Sequence, residues 1–332
     1  MDLTTRYMGL ELRSPLVASA SPLNADLDNV RRLEECGAGA VVLPSIFEEQ
    51  VEAEMLRFET LAAANAESFP EAASFFPDYG LRDVGAGRYL DYVRRAVDAV
   101  GIPVIASLNG TTDEGWIAYA REIEEAGAAG LELNVYFIPT DLTMTGQAVE
   151  ERYLDILRAV RGSVTIPVAV KLNPYFSALG NMAARLDGEG ADALVLFNRF
   201  YQPEIDLVQL RLRNDLELSQ NTEMRLPLLW IAVLAGRLRA SLAASTGVES
   251  SDEVLKYLLA GADVVMTTSA LLRSGVAHMA RLLRDVTSWL AARDLHSVGD
   301  IRGMLSRERL GATDIFERQN YMEILRGYRV GS

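Results

Sequence analysis

The chain has 332 residues but only one cysteine, Cys36, and two histidines, His278 and His296, both late. A single cysteine excludes an internal disulfide and any cysteine-ligated metal or iron–sulfur site. Two late histidines argue against a histidine-based metal centre and against a Ser-His-Asp triad. No metal site is expected. Basic charge is also short: 32 Lys and Arg stand against 46 Asp and Glu, a net charge of −14. Such a surplus repels phosphate backbones, so nucleic acid is not an expected partner, whereas a basic protein would be drawn to it. No unbroken apolar run reaches the ~18 residues of a membrane span. The opening MDLTTRYMGLELRSP lacks the basic and apolar regions of a secretory signal. No membrane association and a reducing cytoplasm are therefore expected. There is no Walker sequence and no GxGxxG, so a free-standing nucleotide fingerprint is absent.

What the chain does have is repetition. Four asparagines, Asn109, Asn134, Asn173 and Asn198, end four apolar runs in two copies of one unit. One copy reads IPVIASLN (102–109) then GAAGLELN (127–134), and the other IPVAVKLN (166–173) then GADALVLFN (190–198). Ile102 and Ile166 lie 64 residues apart, and the asparagines within each copy lie 25 apart. A duplicated strand–helix–strand with a polar residue closing each strand is the pattern of a (β/α)8 barrel, a TIM barrel, of the α/β class. Eight strands are expected at 14–21, 40–45, 103–109, 130–136, 167–173, 193–198, 241–246 and 264–269. They alternate little, as parallel strands covered on both faces should. Helices end at Gly before several of them, in ECGAGAVV, EAGAAGLEL, GEGADALV and LAGADVVM. Asp113 is a candidate N-cap, residues 226–239 read as a buried helix, and SSDEVLKYLLAG (250–261) opens with a cap and an early Glu.

Barrels commonly run to ~250 residues or more as one domain, so residues 1–332 read as a single one. Three stretches exceed a normal connection. Residues 46–90 follow the second strand and form a candidate lid, first acidic and helix-prone, then aromatic and proline-broken (SFPEAASFFPDYG). Residues 199–225 have room for a short hairpin. Residues 290–332 read as a helical appendage, solvated or touching another subunit.

The carboxyl ends of barrel strands are where such folds do chemistry. Four amides there would make a floor for a flat polar ligand, although Asn also ends strands by turn preference. Lys171 is the only lysine inside an apolar strand. It is either half of an ion pair with a barrel acid such as Glu132, or a cation for an anionic ligand or reduced cofactor, or a Schiff-base amine. Thr246-Gly247 ends the seventh strand and Thr267-Thr268-Ser269 the eighth, each followed by a helix. That is the customary barrel phosphate site, or else ordinary capping. Tyr136, Phe137, Tyr175, Phe176, Phe200 and Tyr201 follow strands four to six and would wall the floor, or simply pack the loops. Arg199 could hold a carboxylate or make a surface ion pair.

These residues together resemble the dihydroorotate dehydrogenases, a family of FMN-dependent barrels. The resemblance runs from about residue 3 to 305 through SPLVASAS, YLDYVRRA (89–96), LELN, VKLNPYF (170–176), VLFN, STGVESSDEVLKYLLAGAD (245–263) and SALLRSG (269–275). LVLFNRFYQP (194–203) and the ELN-aromatic-aromatic segment look most like a divergent bacterial dihydroorotate dehydrogenase-like branch. The resemblance implies FMN lying across the strand ends. Ala18, Ser19 and Ala20 would meet the flavin, and Asn134 and Asn198 would contact flavin or substrate. Lys171 would sit beside the flavin N1–O2 edge, and Thr246, Gly247, Thr268 and Ser269 would bind phosphate. Asn109, Asn134, Asn198 and Arg199 are the candidate substrate contacts. A homodimer, a soluble electron-transfer partner and a place in pyrimidine biosynthesis are the family expectations.

The substrate side departs from that pattern. Family members place a Cys or Ser base after the LN of strand four, where this chain has Phe137, which cannot be a base. Ile138-Pro139 replaces the next substrate asparagine, Pro44 replaces a second-strand lysine, and SFFPDYG lacks the lid asparagine motif. An FMN oxidoreductase acting on the CH–CH bond of some other small polar substrate is the first reading, with Tyr136, Tyr175 or Tyr201 handling a proton. A phenol with an ordinary pKa near ~10 serves better as acid than as base. The alternatives are dihydroorotate oxidation with a substituted base, a flavin-binding non-catalytic partner subunit, and a Schiff-base lyase using Lys171.

Overall fold

The computed structural model describes residues 1–56, 86–200, 203–213, 217–311 and 326. Eight parallel strands close into a barrel. They are β1 (Leu16–Ala18), β2 (Ala40–Phe47), β3 (Val104–Asn109), β4 (Gly130–Asn134), β5 (Val168–Leu172), β6 (Ala193–Leu196), β7 (Ser241–Ala244) and β8 (Val264–Thr267). Each expected strand is present, in sequential order around the ring, and β7 closes onto both β6 and β8. The four glycines that end helices before strands, Gly37, Gly127, Gly190 and Gly261, have φ of 92°, 91°, 91° and 119°. A residue with a Cβ resists that left-handed turn, and this is why the punctuation was readable.

Two apolar layers result. Val17, Val42, Ile105, Ala169, Val195, Ala243 and Met266 point into the barrel, and the larger layer fills the space between strands and helices. The bottom is plugged by a hairpin, Thr5–Tyr7 with Leu10–Leu12. Its turn residues Met8 and Gly9 have φ of 53° and 79°, the twist that a two-residue hairpin requires. Tyr7, Met8 and Leu12 are buried and join the interior cluster. Between β2 and β3 the register shifts between Val42 and Ser45. Pro44 lies in that interval, and having no N–H it cannot take a place in the ladder.

Three local expectations are corrected. The helix Asp113–Glu125 is capped by Thr112, whose hydroxyl accepts from Gly115 N, and not by Asp113. The helix after Arg225 ends at Leu234 and is buried on one side only, with Leu226 and Leu229 exposed. The expected appendage begins as part of the barrel base: Val298 and Ile301 are buried, and Gly303 N and Leu305 N donate to the Leu258 and Leu259 carbonyls. The cap of Ser251–Ala260 is as expected, a reciprocal box between Ser250 and Glu253. The hairpin expected after β6 pairs Glu204–Asp206 with Arg211–Arg213. The lid segment SFPEAASFFPDYG, Tyr201 and residues 312–325 lie outside the described residues. Residues 48–56 are helical.

Glu48, at the start of that helix, is buried and accepts from the amides and hydroxyls of Thr111 and Thr112, locking the β2 exit to the β3 exit. Burial works to raise its pKa, but the four hydrogen bonds together hold it below the ordinary 4.5. A carboxyl depressed in the folded state stabilises fully above its unfolded pKa and loses that contribution as pH falls through the folded value. Urea unfolding of Glu48→Gln should therefore show a loss of about 1–3 kcal/mol at pH 7. The wild type's stability should fall below pH 4.5 along a limb that this variant lacks. Equal acid limbs would contradict the assignment.

Candidate active site

At the carboxyl ends of the strands, one cavity of about 170 Å³ is lined by Ser19, Ala20, Lys171, Asn198, Arg199, Thr246, Gly247, Thr268 and Ser269, among others. A wider hollow of about 620 Å³ adjoins it, with Phe197, Asn198, Arg199, Glu217 and Thr246 common to both walls. Residues from β1, β5, β6, β7 and β8 thus meet at one place, although they are up to 250 positions apart in the chain.

The side of the mouth that follows β7 and β8 is built from turns. Thr246 and Gly247 follow each other at φ of 83° and 74°. A β-branched residue there is an outlier, held by its own hydroxyl donating to the Phe197 carbonyl and by Tyr257 OH donating to the Thr246 carbonyl at 2.8 Å. Burial pushes the Tyr257 hydroxyl pKa up, so it stays a donor. The following helix begins only at Ser251 and is self-capped, so it is the turn, not a helix start, that faces the cavity. Ser219 reaches in from the loop after β6. Its hydroxyl donates to Ser269 Oγ at 2.9 Å and accepts from Gly247 N at 3.4 Å. Arg273, paired with Glu249 at 2.7 Å, donates to the Leu218 and Ser219 carbonyls and clamps that loop. Asn24 Nδ2 donates to the Ser19 and Val42 carbonyls and fixes the β1 exit. Ser219 and Arg273 were missed in the sequence because their partners lie in distant segments, and Asn24 because an asparagine that bonds the carbonyls of Ser19 and Val42 leaves no spacing signal.

Lys171 is 8% exposed and its Nζ lies 3.3 Å from Glu132 Oε1. It therefore is an ion pair and a cavity wall at once. Asn198 Nδ2 donates to Asn134 Oδ1 at 2.6 Å, and Asn134 Nδ2 donates to Ser45 Oγ at 3.2 Å. Ser45 Oγ lies 2.7 Å from Ser107 Oγ. This chain of amides and hydroxyls crosses the mouth from β6 to β2. Ser45 and Ser107 carried no sequence signal, since serine in a strand is unremarkable.

The four-amide floor is reduced to that one pair. Asn173 turns outward: its Nδ2 donates to Tyr153 OH at 2.8 Å and its Oδ1 accepts from Tyr175 N. Asn109 is buried at the end of β3 and lines neither cavity. Ala18 points into the layer between barrel and helices, not at the mouth. Arg199 is engaged by Glu223 at 2.9 Å and by the Glu217 carbonyl, although it stays on both walls. Tyr136 and Tyr175 flank Phe200, at 4.5 and 5.6 Å between ring centroids; Tyr175 and Phe200 line the wider hollow, whereas Tyr136 lines neither cavity and lies behind Phe200. Phe176 instead packs edge-on against Tyr153. Phe137 lies 4.5 Å beneath the Arg152 guanidinium and lines neither cavity. Among the described residues no group of His, Cys, Asp and Glu could hold a metal, and no helix is long and apolar enough to cross a membrane.

A closed parallel barrel with hydroxyls, an amide and a buried lysine gathered at its strand ends belongs to the class of barrel enzymes whose active sites lie there. The family model for dihydroorotate dehydrogenase matches residues 3–290. A putative dihydroorotate dehydrogenase A (fumarate) of Aeropyrum pernix is 26% identical over 312 residues, 92% of this chain and 98% of that one. The catalytic subunits of dihydroorotate dehydrogenase B (NAD(+)) from Thermoplasma acidophilum and Methanocella arvoryzae are 23% and 30% identical. They cover 92% and 62% of this chain, and 99% and 65% of their own lengths. The chain belongs to the dihydroorotate dehydrogenase family and is an oxidoreductase of that family.

If Asn173 is a structural strut, Tyr153→Phe should cost about 1–2 kcal/mol in a denaturant melt, because the buried Asn173 amide and the Val135 carbonyl each lose a partner. Ligand binding at the mouth should not change. A ligand affinity that falls with an unchanged melt would return Asn173 to the site.

Proposed function

We propose that this chain is an FMN-dependent oxidoreductase that moves hydride between the flavin and a CH–CH bond of a small polar substrate. The observation that carries the reading is the single cavity wall shared by Ser19, Lys171, Asn198, Thr246–Gly247 and Thr268–Ser269. The donor set suits a phosphorylated flavin: hydroxyls and an amide gather around Ser219, and the lysine borders the same space. Bound FMN would supply the hydride acceptor.

The chain's own residues divide the remaining work. Gly247 N, Ser219 and Ser269 would hold the phosphate with N–H and O–H donors. Lys171 would face the negative charge that reduction places on the ring. Asn198 and Asn134, tied to Ser45 and Ser107, would orient ring and substrate. Tyr136 is the candidate proton donor on the substrate side, braced by Phe200. Phe137 offers no base, and its ring is occupied by Arg152. The relatives are named for dihydroorotate, whereas Phe137, Ile138-Pro139 and Pro44 depart from that family's substrate-reading residues, so the substrate proposed here is a different small polar molecule. A soluble electron-transfer partner is proposed for the acceptor side, with the −14 charge favouring a basic docking surface.

An absorbance spectrum of the purified protein should show oxidised flavin, and extraction should release FMN. A colourless protein that also fails to take up added FMN overturns the reading. Anaerobic mixing with dihydroorotate should leave the flavin band unbleached over seconds; rapid bleaching would establish dihydroorotate as substrate. Ser269→Asp places a like charge against the phosphate and should weaken FMN by about tenfold or more while sparing riboflavin. Equal losses for the two would remove the cradle's role.

A further inference from the structure

Glu132 lies in the middle of β4, opposite Ser107 on β3 and Ala169 on β5, and is 1% exposed. One oxygen, Oε1, accepts from Lys171 at 3.3 Å. The other, Oε2, is buried without a hydrogen-bond partner. The interior around the pair is apolar, with Val42, Ile105, Ala169 and Val195 in the same cluster. The Glu132 charge is felt as far as Tyr7, whose hydroxyl pKa is pushed up first by burial and then by Glu132. A pair with one oxygen unsatisfied in such surroundings is a poor source of stability, since apolar residues of the same volume commonly do as well or better. Its geometry is asymmetric: the anion is sealed inside the barrel, while the cation forms the cavity wall.

We propose that Glu132 is a positioning residue that acts through Lys171. It anchors the ammonium at the cavity edge and withholds part of its charge from the ring, so that the reduced, anionic flavin is stabilised but still releases its electrons. The inference rests on the flavin reading above. Its sign follows from electrostatics alone. Removing the carboxylate that partly neutralises Lys171 leaves more of the ammonium's charge for the ring, which favours the anionic form.

Sulfite is a probe that needs no substrate. Its sulfur lone pair forms a bond to N5 of the oxidised flavin, and the negative charge stays on the ring, so affinity reports how the site treats an anionic flavin. Titration of FMN-loaded protein, followed by loss of the visible band, should show Glu132→Gln binding sulfite about tenfold more tightly than wild type. Lys171→Met should bind it about tenfold more weakly. Adding Glu132→Gln to Lys171→Met should change nothing further, because the carboxylate acts through the ammonium. A folded, flavin-loaded Glu132→Gln with wild-type sulfite affinity overturns the proposal and leaves an ordinary ion pair. Should Glu132→Gln not fold, Glu132→Asp withdraws the carboxylate by one methylene. It should move affinity the same way by less, and no movement overturns the proposal. A wild-type protein that takes up no flavin sinks the underlying reading, and this one with it. An altered Glu132 variant beside a normal wild type concerns Glu132 alone.

Discussion

An ammonium group inside a closed barrel has no water to turn to, and the site depends on how this chain meets that constraint. Lys171 is one of only two lysines among the chain's 32 basic residues. It stands in a strand where its neighbours are Val170 and Leu172. The parallel register sets Lys171 beside Asn134 and Ala169 beside Glu132, so adjacent strands bring the carboxylate one layer below the ammonium. A slip of one residue in either strand would put one charge among the helices and leave the other buried alone, a cost of several kcal/mol. The ion pair therefore pins the β4–β5 register, and that register carries Asn134 and, through it, Asn198 to the mouth.

The two halves of the mouth are built differently. The cradle side rests on short strand ends braced by hydrogen bonds: buried Asn24 and Tyr257 hold Ser19 and Thr246, and the exposed Arg273 holds the 218–219 loop. Each brace is a hydrogen bond to a backbone carbonyl, so it holds the backbone and does not itself occupy the hydroxyls and amide of the cradle. The side formed by the loops after β4, β5 and β6 rests instead on ring contacts among Tyr136, Phe200 and Tyr175, with Tyr175 largely exposed. Hydrogen bonds to backbone are specific in direction and ring contacts are adaptable. Under the proposed function the fixed half is the one assigned to the cofactor and the adaptable half the one assigned to the substrate.

The ring of strands was legible because parallel strands covered on both faces leave unbroken apolar runs, and because four left-handed glycines mark where helices stop. That the hydroxyls and glycine after strands seven and eight share one cavity was foreseeable as well, because they are local sequence features at neighbouring strand ends. What the sequence left undetermined is side-chain direction. Asn173 and Asn134 both close apolar runs with the dipeptide Leu-Asn, yet one bonds Tyr153 outside the barrel and the other Asn198 within the mouth. Nothing in IPVAVKLN distinguishes them, since a strand that ends one residue earlier sends its last side chain elsewhere. Ser45 was hidden for a related reason. The register shift at Pro44 sets which residues of β2 face inward, and a shift cannot be counted from composition. Arg199 pairs with Glu223, a residue of the loop that precedes the helix Arg225–Leu234, and such a loop-to-strand partnership has no spacing rule.

Thr246 shows how the fold carries strain for the sake of the site. A left-handed threonine costs on the order of 1–3 kcal/mol, and such a cost persists only where the surroundings over-determine the backbone. Here they do so from two sides, through the hydroxyl on the Phe197 carbonyl and through Tyr257 on the carbonyl of Thr246 itself. Glycine would take the conformation without strain, yet it would lose the first of these restraints and gain the freedom that the turn must not have. Gly247, next in line, cannot be anything larger, because a Cβ would press on Met224 N and the Gln220 carbonyl. The pair divides the requirements of this turn: one residue supplies rigidity at a conformational cost, and the other supplies the close approach that brings the loop bearing Ser219 against it. A turn composed only for easy folding would use two glycines, and the chain's departure from that choice is what the proposed binding role of this rim accounts for.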